Sequence, residues 1–231
     1  MLDFMKGKKA RRATRKSAGT KRTSARGRPP VREAAMRAET LLDVATEVFL
    51  DKGYKGASMS EIARRAGASK QTLYQRYPSK AALFAALIER KAAHLFEAIG
   101  PLEGRGLRET LVHCGSALLD LIVSEEARGV HRVVIAECME FPELGEIFWE
   151  RGPGRTRAML ADYLRAQDKS GKIRCEDPEH AVEVLLGLIV SGASLRAWLG
   201  IQPAFVSTAA QRTAWVNSAV DMFLSSMQTR S

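Results

Sequence analysis

The sequence predicts an all-α chain, with three short helices near the N-terminus followed by a larger helical body. Three observations predict it. Apolar residues recur at helical spacing with no alternating, strand-like stretch. Helix-capping residues, Ser58, Ser69 and Asp177 among them, stand just ahead of such runs. The 231 residues are 45% hydrophobic, enough to bury a sizeable core.

Residues 1–32 come first and carry 12 Lys/Arg against a single acid, Asp3, so the chain's net charge of +10 originates there. Few large apolar residues and no period accompany that charge, and a disordered basic tail over residues 1–31 is expected. Three readings stay open: a solubilising tail, a start site assigned upstream of a true one at Met36, and a DNA-binding arm. Arg26-Gly27-Arg28-Pro29 resembles an AT-hook core, in which Arg26 and Arg28 would enter a narrow minor groove.

Residues 32–79 read as three helices. Leu41, Ala45, Val48 and Phe49 mark the first, and Gly53 is its expected stop. Ser58-Met59-Ser60-Glu61 has the form of a capping box for a second helix of about two turns, with Ile62 and Ala66 on its buried side. Ser69 caps the third, which ends before Pro78 because the residue ahead of a proline is pushed out of helical geometry. Two short helices joined by "AGAS" make a helix-turn-helix pattern. Between Lys52 and Lys80 there are seven basic residues and one acid, Glu61, a local charge suited to a polyanion.

On a wheel of about 100° per residue, with Leu73 inward, Gln71 and Gln75 point out and Thr72 and Tyr74 flank them. Glutamine can bond adenine N6 and N7 bidentately, while Thr72, Tyr74, Arg76 and Lys80 suit phosphate oxygens. The local charge and turn spacing favour that reading over a plain solvated helix.

The stretch "LLDVATEVFLDKGYKGASMSEIARRAGASKQTLYQRYPSKAALFAALI", Leu41 to Ile88, resembles without a gap the DNA-binding domain of the tetracycline-repressor (TetR/AcrR) family of bacterial transcription regulators. Phe49 with Gly53-Tyr54, Ile62-Ala63, Ala66-Gly67, Ser69, Thr72-Leu73-Tyr74 and Tyr77-Pro78-Ser79-Lys80 carry the resemblance. It implies base contacts from Ser60, Lys70, Gln71 and Gln75, and backbone contacts from Ser58, Thr72, Tyr74, Arg76 and Lys80. Tyr77 is expected to wedge into the small core.

Residues 80–231 are expected to form a helical effector-binding and dimerisation domain. A long helix from Lys80 to about Ala98 would join head to body, and Leu107 to Val123 forms the next. Breaks fall at Pro142 and at Gly152-Pro153-Gly154. Met139, Phe141, Phe148, Trp149, Met159 and Tyr163 supply soft and aromatic side chains for an adaptable pocket or for plain core. The helices from Asp177 to Leu199 and from Ser207 to Gln228 have wide apolar faces. Family members pair these two helices about a two-fold axis, which points to Leu185, Ile189, Gly192, Val216, Val220 and Phe223 as the dimer interface.

Competing chemistry is thin. "CEDPEH", Cys175 to His180, reads as a helix start with Asp177 as N-cap, so no metal site is expected. "RGPGRTR" lacks the G-K-[ST] of a phosphate loop, and the four histidines have no visible catalytic partner. No catalytic residue and no cofactor is expected. Three scattered cysteines fit a reducing cytoplasm, and "VLLGLIVSGASL", Val184 to Leu195, reads as too short to span a bilayer. The expected function is a cytoplasmic, homodimeric repressor of a double-stranded DNA operator, released by a hydrophobic small molecule, with no membrane partner. The alternative is an effector-independent nucleoid-coating protein driven by the tail.

Overall fold

The computed structural model describes residues 31–201 and 204–227, and among these the regular structure is helical, with no strand. The elements are α1 (Val31–Gly56), α2 (Met59–Arg65), α3 (Lys70–Arg76), α4 (Lys80–Ile99), α5 (Leu107–Val123), α6 (Glu125–Glu137), α7 (Pro142–Arg151), α8 (Pro153–Lys169), α9 (Pro178–Trp198) and α10 (Ala209–Ser226), with a 3-10 turn at Ala204–Val206. The basic tail, including Arg26 and Arg28, lies outside the described residues, apart from Val31, which opens α1.

Caps explain most of the boundaries. Ser58 accepts from the Glu61 N–H, Ser69 from Thr72, Ser79 from Ala82, Ser124 from Ala127 and Asp177 from His180. Only half of the expected box at α2 forms, because the Glu61 carboxylate turns away from Ser58 to Lys52 and Arg65. Thr208 and Gln211 form a full capping box at α10. The regular part of α1 breaks at Gly53, as expected, and a short turn to Gly56 continues beyond it. Gly53 has φ 72° and ψ 176°, a conformation reserved for glycine, and kinks the helix before its last residues.

Two cores form. In the first, Val48, Phe49, Ile62 and Leu73 of the three N-terminal helices pack with Leu83, Phe84 and Leu87 of α4, Val130, Val133 and Val134 of α6 and Leu144 of α7. The head therefore shares its core with helices beyond residue 79. The second joins the end of α4 to α5, α8, α9 and α10 around Leu111, Leu119, Leu164, Leu185 and Val216.

Two expectations need correction. α9 is 21 residues long and, with a mean hydropathy of 1.5, apolar enough to span a membrane by length and composition; the apolar run read from sequence understated it because less apolar turns extend it at both ends. It packs as a body helix, with Ala181, Val182, Leu185, Leu186 and Ile189 buried within the protein. The proposed interface residues Leu185, Ile189, Val216, Val220 and Phe223 are all buried inside one protomer, none more than 2% exposed. Ile189 and Val216 close on Gly115 of α5, where an added Cβ would lie 2.8 and 3.0 Å from their side chains. Gly192 is exposed. The sequence showed adjacent apolar stripes on α10, and packing on α5 and α9 chose which one faces inward. Leu195 and Leu199 at the end of α9, and Trp215 and Met222 on α10, are left exposed.

Candidate nucleic-acid interface and effector cavity

α3 is anchored by one residue and presents nearly all the others. Leu73 is fully buried, whereas Lys70, Gln71, Thr72, Tyr74, Gln75 and Arg76 are exposed. Gln71 and Gln75, one residue in from either end of the helix, are thus both open to solvent. The Thr72 hydroxyl pairs with Ser69 Oγ at 2.8 Å, and the Arg76 guanidinium lies 5.8 Å from the Tyr77 ring centre. Tyr77 itself is buried in the first core. On α2, Ser60 is half-buried, and Ser58 is exposed with its oxygen held by the Glu61 N–H. Lys52 and Arg65 both pair with Glu61, which is held below its ordinary pKa, first by the hydrogen bond from Lys52.

Lys80 departs from its expected role. Its ammonium donates to the carbonyls of Tyr54 at 2.5 Å and Ala57 at 3.1 Å, with Lys55 O at 3.4 Å, and it lies 4.4 Å from the Tyr54 ring centre. An ammonium has three donors. All three are directed at the corner between α1 and α2, so Lys80 braces the head. Desolvation pulls its pKa below the ordinary lysine value.

The opposite side of that corner is held by the body. The Glu137 carboxylate at the end of α6 accepts from the backbone N–H groups of Tyr54 at 2.9 Å and Lys55 at 2.6 Å, just past the Gly53 kink. Lys55 also pairs with Glu140 at 2.6 Å. These N–H groups are exposed by the break in α1, and a carboxylate is the strong acceptor such a break favours.

A cavity of about 530 Å³ opens within the body, lined from α4, α5, α6, α7, α8 and α9. Ile88 and Leu95 of α4, Leu118 and Leu121 of α5, Val130 of α6 and Leu186 of α9 give it an apolar wall. Of the residues expected at a pocket, Phe148 and Trp149 line it. The other four do not, which corrects the expectation. Met139 is 90% exposed in the corner between α6 and α7, and Phe141 packs on Tyr54 with ring centres 5.3 Å apart. Met159 and Tyr163 belong to the second core. Which soft side chain meets a cavity depends on the turning of α7 and α8, which composition does not encode. His131, Thr156, Ser194 and Trp198 of the lining went unread in the sequence. The signal available was an isolated histidine on the apolar face of α6 and two serines, Ser191 and Ser194, within a run of otherwise apolar residues in α9.

Residues 109–227 match the family described as AefR-like transcriptional repressor, C-terminal domain, and residues 41–87 match bacterial regulatory proteins, tetR family. The chain belongs to the TetR family. Regulators of this family bind DNA operators and dimerise through the helical C-terminal domain. Among solved structures, a TetR-family regulator from Mesorhizobium loti MAFF303099 is 27% identical with a TM-score of 0.72, covering 84% of this chain and 98% of its own. The flavonoid-responsive regulator FrrA is 29% identical with a TM-score of 0.71, covering 85% and 100%. The HTH-type regulator YvkB of Bacillus subtilis is 25% identical over 160 residues, 69% of this chain and 82% of its own. Among the described residues of this TetR-family chain, no cluster of three or more His, Cys, Asp or Glu could hold a metal ion. Its cysteines are free, and burial raises the Cys114 thiol to a pKa of about 11.

Proposed function

We propose that this TetR-family regulator is a cytoplasmic repressor that binds its operator as a homodimer and leaves it when a hydrophobic small molecule fills the cavity. Ser60, Lys70, Gln71 and Gln75 take the base-contacting positions, and Ser58, Thr72, Tyr74 and Arg76 the phosphate-contacting ones. Arg26 and Arg28 act as a minor-groove arm. The exposed apolar residues Leu195, Leu199 and Met222 supply the dimer surface, since each is large and more than half exposed on its own protomer, with the uncovered edge of Trp215 beside them.

The observation that carries the ligand-gated reading is the double attachment of the head. α4 lines the cavity with Ile88, Ala92 and Leu95 and starts at Lys80, directly after the recognition helix. α6 lines it with Ala127, Val130 and His131 and ends on Glu137, which grips the α1 kink. A ligand that displaces either helix moves the head. Its effect on operator affinity equals the operator's effect on ligand affinity, because binding linkage is reciprocal.

The test is operator binding and thermal melting measured over one titration of a hydrophobic compound. Release from the operator at the concentrations that raise Tm is expected; tight binders that all leave operator affinity unchanged would refute the mechanism. A parallel salt titration on operator and random DNA addresses the coating-protein alternative, which predicts no surviving specificity ratio.

A further inference from the structure

The cavity's polar groups are few, and each has a definable state. Lys91 pairs with Glu126, and Arg157 Nε donates to Glu183 at 2.6 Å, so both cations at the lining already have carboxylate partners. The Arg157 guanidinium also lies over Trp149, 4.7 Å from the ring centre. His131 Nδ1 lies 2.6 Å from the Ala127 carbonyl. A carbonyl only accepts, so Nδ1 carries the proton. Burial lowers the His131 pKa, which keeps the ring neutral near pH 7 and leaves Nε2 as an acceptor with no protein partner among the described residues.

Two hydroxyls join it. Thr156 is 4% exposed and Ser194 is 6% exposed; both line the cavity, and neither hydroxyl has a hydrogen-bond partner among the described residues. Neither oxygen is among the buried unpaired side-chain atoms, so both keep surface open to the cavity, where a ligand's polar atoms can reach them. The walls around them are aromatic. His131 meets Phe148 edge-on with ring centres 5.0 Å apart and stacks on Trp198 at 5.7 Å.

We infer that the cavity takes an uncharged aromatic molecule bearing a hydroxyl group, which donates its hydrogen bond to His131 Nε2 while Thr156 and Ser194 meet its remaining polar atoms. An anionic ligand finds no unpaired cation, and a purely hydrocarbon one leaves three polar side chains dry. The inference rests on the reading of this cavity as the effector site, and its ligand chemistry is tested separately from operator release.

Three probes share one biphenyl body: para-phenylphenol, para-methoxybiphenyl and biphenyl-para-carboxylate. Binding to the full chain is followed by the fluorescence of Trp149 and Trp198, both in the lining. The phenol, uncharged at pH 7, is expected to bind about tenfold more tightly than the ether, which cannot donate, with the carboxylate weakest. His131→Phe keeps an aromatic ring and should bring the phenol-to-ether ratio near one. His131→Gln restores an oxygen acceptor and should recover part of the ratio, which separates lost acceptance from lost folding. Equal wild-type affinities for phenol and ether, no phenol binding, tightest binding by the carboxylate, or an undiminished ratio in His131→Phe would each overturn the inference. Preferential phenol binding without operator release would support the site chemistry and refute the gating mechanism instead.

Discussion

Gln71 and Gln75 stand on the face of α3 opposite the buried Leu73, while Arg76 sits at its end over Tyr77. That division of labour makes a prediction about single side chains. Gln71→Ala should lose discrimination at one base pair, worth about 1–3 kcal/mol for a bidentate contact, and Arg76→Ala should weaken binding to every sequence and reduce the salt slope by about one. Affinities for the operator and its single-base variants over a salt series would show this, and equal loss of specificity in both mutants would refute it. Lys80→Met should behave differently from both. Removing its ammonium leaves the Tyr54 and Ala57 carbonyls without their donor, a destabilisation of about 1–3 kcal/mol. Thermal melting should fall while the salt slope of the folded protein stays unchanged; a slope lowered by about one would return Lys80 to the phosphate-contacting set. The wheel placed the glutamines correctly because Leu73 fixes the phase of the helix. Lys80 could not be read in that way, since its acceptors lie 23 to 26 residues earlier in the chain.

α6 is the element that most needed tertiary structure to interpret. Its N-terminal half lines the cavity and its C-terminus holds the head, so one helix touches both sites. Glu137→Ala removes the acceptor of two backbone N–H groups. It is expected to lower the melting temperature and, at unchanged cavity affinity, to shrink the effect of bound compound on operator affinity. Trp fluorescence and operator titration on the same variant would test the two parts separately, and full retention of ligand-induced release would show that α4 alone carries the coupling. Gly53→Ala should reproduce the phenotype from the other side. Its φ of 72° is unfavourable for a side chain, by about 1–3 kcal/mol, and the new Cβ would collide with Glu137 Oε1. The sequence marked Gly53 as a helix end, which is a local property of glycine; that the kink would receive a carboxylate from residue 137 is not local.

At the scale of the whole molecule, the two apolar stripes of α10 have separate fates. Phe223→Ala should destabilise the protomer itself by about 3–5 kcal/mol, as for other large buried side chains. Leu195→Arg combined with Met222→Asp changes positions 56% and 58% exposed and should leave the protomer folded but monomeric and weak on operator DNA. Sedimentation with circular dichroism distinguishes the two outcomes, and an intact dimer in the double mutant would place the interface elsewhere. Deletion of residues 1–29, which carry most of the excess positive charge, should lower the salt slope and non-specific affinity without altering the dimer. An unchanged slope would show that the tail does not touch DNA.

The sequence by itself determined the helical class, most helix starts and the face that α3 presents. Those properties depend on residues three or four positions apart: Ser69 on Thr72, Asp177 on His180, Leu73 against Gln71 and Gln75. Only the tertiary structure decided which stripes of α9 and α10 turn inward, which aromatic residues reach the cavity and where the Lys80 ammonium goes. Each of these depends on contacts between segments far apart in the chain. An apolar or basic side chain is equally compatible with several such partners until the helices are packed.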